Sequence, residues 1–236
     1  MESPKLSTMV VLYTTNLKFD TTHLTRILPL DEKIIKVEKK GIEKRGESSR
    51  DKIKHRTKKL IKPLNNTGFS HNSVTIVLKN NAQGFLPEKE ITIKIFQNGV
   101  FHLTGVLDDK YDIDSMNIIL HVLWKYCREC IVNSPETYEI LNRRVVLMNY
   151  TTKLPFTIAR EALHNAIRAL GYKNIKSFYE PDVYPGVKIQ LENTKWTAKV
   201  FRTGKIILTG ITCSSDCENF MLQLQQLFEL VLPTKH

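Results

Sequence analysis

The chain has 236 residues and is 42% apolar, enough for one or two globular units with a buried core. No stretch approaches the roughly 20 apolar residues of a membrane span, and Met1 to Met9 lacks the apolar core of a secretory signal, which argues against membrane insertion and against secretion. The formal net charge is +11, but 13 of the 35 basic and 4 of the 24 acidic residues lie between Lys33 and Lys62, a net of +9, leaving +2 for everything else. The charge therefore points to a nucleic-acid partner through one segment only.

In chain order, Met9 to Tyr13 has the composition of a strand. Lys33 to Lys62 follows, and is most simply a mobile, solvated loop. It could also serve as a localisation signal or a non-specific DNA arm, its IKHRTKKLIK stretch becoming helical on binding. Val74 to Leu78, Ile91 to Phe96 and Val100 to Leu103 are predicted strands, and Asn98-Gly99 fits a tight turn because Gly takes φ > 0 at no steric cost. A helix is expected from about Ser115 to Cys130, with Met116, Ile119, Leu120, Leu123 and Cys127 as its apolar stripe.

The order then begins again. Val145 to Tyr150 is a strand, and Ile158 to Leu170 is a helix with Ala159, Leu163, Ala166, Ile167 and Leu170 at helical spacing and Gly171 as its stop. Gly186 to Leu191, Trp196 to Phe201 and Lys205 to Leu208 are strands, with a turn at Thr203-Gly204. Ser215 and Glu218 form a capping-box signature for a last helix. Its stripe is Cys217, Met221, Leu224, Phe228 and Val231.

This recurrence is a duplication. Phe96 to Gly105 and Phe201 to Gly210 both read F-x-x-G-x-x-x-L-T-G, 105 residues apart, while Tyr13-Thr14-Thr15 and Tyr150-Thr151-Thr152 match at an offset of 137. The offsets differ by 32, so the first copy carries about that much extra chain between its matched pieces, and the basic run lies in that interval. The boundaries are 1–140 for the first repeat, with an insertion at about 33–65, and 141–236 for the second.

Strands and helices in this order predict an α+β fold with an antiparallel sheet covered by helices on one face. Alternation assigns Ile91, Ile93, Ile95 and Trp196, Ala198, Val200 to the helix side. Thr92, Lys94, Phe96 and Thr197, Lys199, Phe201 then share the open side. The two phenylalanines are either core residues or ligand-facing aromatics, and their period favours the open face. The lysines either guard strand edges against aggregation or reach phosphates and the acceptor-only A·T minor-groove edge. Cys127-x-x-Cys130 and Cys213-x3-Cys217 superficially suggest zinc pairs, but at non-equivalent helix ends they read as free thiols. The sequence carries no nucleophile elbow, Gly-rich phosphate loop or catalytic carboxylate pair, and so implies no enzyme and no cofactor.

Tyr179-Glu180-Pro181-Asp182-Val183-Tyr184-Pro185-Gly186, followed by F-x-x-G-K-x-x-x-T-G, resembles the second repeat of the TATA-box-binding protein family, which reads Y-E-P-E-L-F-P-G before the same ending. Tyr184 to Phe201 is a spacing of 17, as in the family. The resemblance implies a saddle of two tandem repeats, a ten-stranded curved antiparallel sheet with four helices on its convex face. It implies a transcription initiation factor that binds A/T-rich double-stranded DNA through the minor groove, where aromatic wedging between base steps is an established property of that family. Carried over by position, the wedges are Tyr184 and Phe201, then Phe96, with Phe69 as the nearest aromatic for the fourth. Thr104 and Thr209 match base-contacting threonines, and Lys205 a backbone-contacting lysine. Glu180 and Asp182 match the acidic pair that binds transcription factor IIB, so a factor-IIB-like partner and RNA polymerase machinery are implied. Departures accompany the match. The family's paired asparagines fall near Thr8 and Val145, concave-face leucines become Lys94 and Lys199, a valine becomes His102, and the first closing helix begins Asp108-Asp109-Lys110 without the family's basic cluster. Divergence of this size in a retained frame suggests the transcription machinery of a large DNA virus, acting in a nucleus, a cytoplasmic virus factory or a virion. Other readings are a saddle that binds nucleic acid without promoter specificity, and a protein-interaction scaffold that has lost DNA binding.

Overall fold

A computed structural model describes residues 1–51 and 72–232. The chain divides into two compact units, Val10–Arg144 and Met1–Met9 with Val145–His236. The opening residues thus belong with the second repeat, and the division falls at Val145.

In the first-repeat unit the elements are β1 (Lys5–Thr15, which begins in the other unit), α1 (Thr21–Ile27), β2 (Ile34–Lys39), β3 (Glu43–Gly46), β4 (Ser73–Asn80), β5 (Lys89–Phe96), β6 (Val100–Val106) and α2 (Asp109–Tyr126). The strands run β3-β2-β4-β5-β6-β1 and the β2 to β6 ladders are antiparallel. The second-repeat unit has β7 (Ile140–Lys153, which starts in the first unit), α3 (Arg160–Ala169), β8 (Ile175–Phe178), β9 (Val187–Leu191), β10 (Thr197–Val200), β11 (Lys205–Ile211) and α4 (Ser214–Val231), in strand order β7-β11-β10-β9-β8. Removing β3 leaves five strands per repeat, the ten that the resemblance implies. The eleventh is the product of the insertion.

Alternation builds each core. Ile91, Ile93 and Ile95 are wholly buried, as are Ala198 and Val200. In the second unit they join Leu163 and Ile167 of α3 and Phe220, Leu224 and Phe228 of α4. Trp196 packs on Phe220 with ring centroids 5.6 Å apart. The turns at Gly99 and Gly204 have φ of +80° and +79°, and a Cβ at Gly99 would lie 2.0 Å from the Leu17 carbonyl oxygen, so glycine is required there twice over.

Three expectations change. The Lys33–Lys62 run is not a mobile loop over its first part. Ile34 and Val37 are fully buried, β2 pairs with β4, and β3 folds back onto β2. The lysines are tolerated because they have partners. Lys36 Nζ lies 2.6 Å from Glu38 and 2.8 Å from Asp51, and Lys39 Nζ donates to Thr21 Oγ1 at 2.6 Å. The extra chain starts after β2, between residues 40 and 72, where the second repeat has only residues 179–186 between β8 and β9. The IKHRTKKLIK stretch, which is read as becoming helical on binding, lies outside the described residues. Second, α2 starts at Asp109 rather than Ser115, because the Asp108 carboxylate accepts the Lys110 N–H and sets the first turn. It ends at Tyr126, and Cys130 closes a separate 3₁₀ turn. Third, Ser215 is not the cap of α4. The helix begins one residue earlier, Cys213 occupies the cap position without a side-chain cap bond, and Ser215 Oγ meets Cys213 Sγ at 3.1 Å.

One polar network fastens the first unit. Asp112 of α2 is completely buried. Its carboxylate accepts from Tyr13 Oη at 2.6 Å and from Arg143 Nε at 2.7 Å, and Arg143 also reaches Asp109 at 2.5 Å. Burial first, then the Asp112 charge, pushes the Tyr13 hydroxyl well above its ordinary pKa, so it stays a donor. Removing one member of a buried pair strands the other charge. Arg143→Ala is expected to lower stability by about 2–4 kcal/mol, read as a shift of the denaturant midpoint at unchanged slope.

Candidate nucleic-acid interface

The ladders bring the two repeats to the same register. Thr92 is opposite Thr104 in the first unit, and Thr197 is opposite Thr209 in the second. Lys94 is opposite His102, and Lys199 is opposite Ile207. All eight are half-buried, and in each unit they share the sheet face that the helices do not cover.

In the second unit this face carries an aromatic pair. Phe201 follows β10 directly, and its carbonyl accepts the Gly204 N–H at 3.0 Å while its own N–H donates to the Lys205 carbonyl at 2.9 Å. The turn fixes the ring next to Tyr184, with centroids 5.9 Å apart. Gly186 lies beneath both, and a Cβ there would come within 3.0 Å of the Tyr184 ring and 3.3 Å of the Phe201 ring. Lys188 Nζ sits 5.0 Å and Lys199 Nζ 5.8 Å from the Tyr184 ring centre. These two lysines are register partners on β9 and β10, so Tyr184 has two cations within cation–π reach of its ring. Lys188 escaped the sequence reading, although the alternation of Val187, Ile189 and Leu191 places it on the open face.

Lys205 is exposed at the start of β11 and pairs in register with Lys153. With Lys5, Thr151 and Thr203 they line a groove of about 310 Å³. Lys5 and Lys153 are further residues that motif matching did not single out. The turn before Tyr184 is closed by Glu180, whose carbonyl accepts from Val183 N at 3.0 Å and Tyr184 N at 2.8 Å. Glu180 and Asp182 both project to solvent from it. Arg160 of α3 ties the turn down by donating to the Pro185 carbonyl and lying 5.5 Å from the Tyr179 ring.

In the first unit Phe96 is half-buried at the end of β5. Leu12, Lys94, Asn98, Val100 and His102 surround it in a shallow depression of about 500 Å³. Burial and then the Lys94 charge hold the His102 imidazole below its usual pKa, so it is neutral near pH 7. Phe69 lies outside the described residues. Thr8 and Val145 are half-buried, and neither supplies an amide like the asparagine it replaces.

All four cysteines are free, and no group of three or more His, Cys, Asp or Glu among the described residues is arranged to hold a metal ion. Burial pushes the Cys127 and Cys217 thiols up to about 11 and Cys130 up to about 12. Only Cys213 is exposed. A thiol reagent at pH 8 is therefore expected to modify one equivalent quickly in the native protein and four after unfolding, with Cys213→Ser removing the fast phase.

The fold is that of the TATA-binding protein. The Methanococcus jannaschii TBP superposes with a TM-score of 0.59 over 96% of this chain and 98% of its own, at 14% identity. Residues 144–229 match the family model described as transcription factor TFIID, or TATA-binding protein. TATA-box-binding protein 2 of Methanosarcina acetivorans is 41% identical over 56 residues, 24% of this chain and 29% of that protein. The TATA-box-binding protein of Picrophilus torridus is 27% identical over 144 residues, 60% and 70% of the two chains. A TATA-box-binding protein-like chain of Acanthamoeba polyphaga mimivirus is 26% identical over 162 residues, 59% of this chain and 42% of that one. The match spans about a third or less of the length of the Methanosarcina relatives. Over residues 144–229 in sequence, and over nearly its whole length in fold, this chain is similar to TATA-box-binding proteins.

Proposed function

We propose that this protein is a non-enzymatic transcription initiation factor that binds double-stranded DNA through the minor groove and bends it. The observation that carries the reading is the Tyr184–Phe201 pair, with Lys188 and Lys199 beside the Tyr184 ring, on the sheet face left open by the helices. An aromatic pair on an open face is costly in water and suits insertion between base steps. Cations beside it suit a groove whose A·T edges offer only acceptors. Thr104 and Thr209 stand in matched register for the groove floor, and Phe96 supplies the first-repeat wedge, with Lys205 reaching the phosphates. Glu180 and Asp182, carried on a tight exposed turn, form the docking point for a factor-IIB-like partner. The mimivirus relative favours a viral setting.

In a bending assay on an A·T-rich duplex, Tyr184→Ala and Phe201→Ala should each remove most of the bend and weaken binding about tenfold or more, from about 1–3 kcal/mol per base–aromatic contact. An unbent duplex, or bending indifferent to both substitutions, leaves the scaffold reading instead.

Lys94 and Lys199 replace apolar residues of the family pattern, so electrostatics takes over part of what shape readout does there. The double substitution Lys94→Leu/Lys199→Leu should make the slope of log K against log salt shallower by about 1.8, at roughly 0.9 per neutralised phosphate. An unchanged slope would sink the assignment.

A further inference from the structure

The open face of the first unit is not open throughout. Lys36, Val77, Thr92 and Thr104 form one row across β2, β4, β5 and β6, each opposite the next in the ladder. The equivalent row of the second unit is Lys176, Gln190, Thr197 and Thr209. There the outer two positions, Lys176 and Gln190, are exposed. In the first unit Lys36 and Val77 are each only 4% exposed, although they too point away from the helices. The sheet is the same, so something else covers them.

The cover is Ser48–Asp51, the segment that follows β3. It closes on itself through Asp51 N–H to the Ser48 carbonyl at 3.0 Å and Ser48 N–H to Asp51 Oδ2 at 3.1 Å. Asp51 is then latched to Lys36 at 2.8 Å and to Lys44 at 3.2 Å. The Lys36 ammonium holds the Asp51 carboxyl far below the usual carboxylate range, so the latch stays charged. Ser49 donates its N–H at 3.0 Å and its hydroxyl at 2.9 Å to the Glu90 carboxylate. Arg50 reaches furthest along the row, giving Nη1 to Thr92 Oγ1 at 3.1 Å and Nη2 to the Glu90 carbonyl at 3.2 Å. It ends over Gly105, where a Cβ would stand 2.9 Å from Nη2.

We propose that Ser48–Asp51 is an autoinhibitory strap, which occupies the outer part of the first repeat's DNA face and must lift for a duplex to seat there. The inference rests on the minor-groove reading above. Sterics and charge agree on its sign. The strap and its attachments put the Asp51 and Glu90 carboxylates on a surface where phosphates would lie, and they spend the Arg50 guanidinium on the sheet itself. A protein whose binding-competent form is only partly populated has its apparent affinity reduced by that fraction.

The test is the affinity of the full chain for an A·T-rich duplex, by anisotropy at fixed salt, for wild type, Ser49→Ala/Arg50→Ala and the charge-matched control Arg26→Ala on the helix side. Loss of a cation alone weakens DNA binding. Release of the strap is expected to tighten it about three- to tenfold, from loss of several exposed hydrogen bonds holding the closed form. In a Cys213→Ser background, Ser49→Cys/Glu90→Cys joined by a cleavable bis-maleimide should bind weakly while linked and recover on cleavage. Binding by the loosened variant weaker than or equal to wild type, or indifference to the cross-link, overturns the strap and leaves the minor-groove reading standing. If no form of the protein binds duplex, both readings fall. If only the loosened or cleaved forms bind, both are supported.

Discussion

A sheet covered by helices on one side only must do something with its other side, and the rest of this structure follows from that constraint. Burial of Ile91, Ile93 and Ile95 in one unit and of Ala198 and Val200 in the other fixes the pleat. A shift of one residue in either strand would turn each hydrophobic set to the wrong face. The positions between them are therefore assigned too. Thr92, Lys94 and Phe96, like Thr197, Lys199 and Phe201, occupy the uncovered side because their neighbours cannot. The site is thus a by-product of the core, specified by the same alternation.

That explains how much was legible in the sequence. The duplicated F-x-x-G-x-x-x-L-T-G segment made Thr104 and Thr209 legible as equivalent positions, and the strands that lead into it did the same for Lys94 and Lys199, since two strands joined by a short turn pair locally. Turn glycines and the stripes of α2 and α4 were legible for the same reason. Long-range pairing was not. Lys33–Lys62 has the composition of a solvated loop, yet Ile34 and Val37 are buried and β2 pairs with β4, which lies beyond the insertion. Charge composition hid β2 because Lys36 and Lys39 find partners only in three dimensions, at Glu38, Asp51 and Thr21. The capping box at Ser215 failed at closer range, the cap falling two residues earlier, at Cys213.

The two units apply one frame to different surroundings. In the second, the loop between β8 and β9 is short, and it carries Tyr184 back over Gly186 to Phe201. In the first, the same connection has expanded, gained β3 and returned Ser48–Asp51 across the sheet. Arg50 over Thr92 and Tyr184 beside Phe201 are thus two outcomes of one variable, the length and content of a single loop. The helix-covered faces tolerated this because the insertion adds to the uncovered side and to an edge, where packing is least constrained.

The opposed pairs Lys94–His102 and Lys199–Ile207 occupy corresponding places in the two copies but differ in kind. One couples an ammonium to an imidazole kept neutral by burial and by that ammonium, and the other couples an ammonium to a hydrocarbon. The two copies share one frame, and at these matched sites they differ in chemistry while the frame is kept. Two chemically unlike copies can treat the two parts of an asymmetric ligand differently, which two identical copies could not.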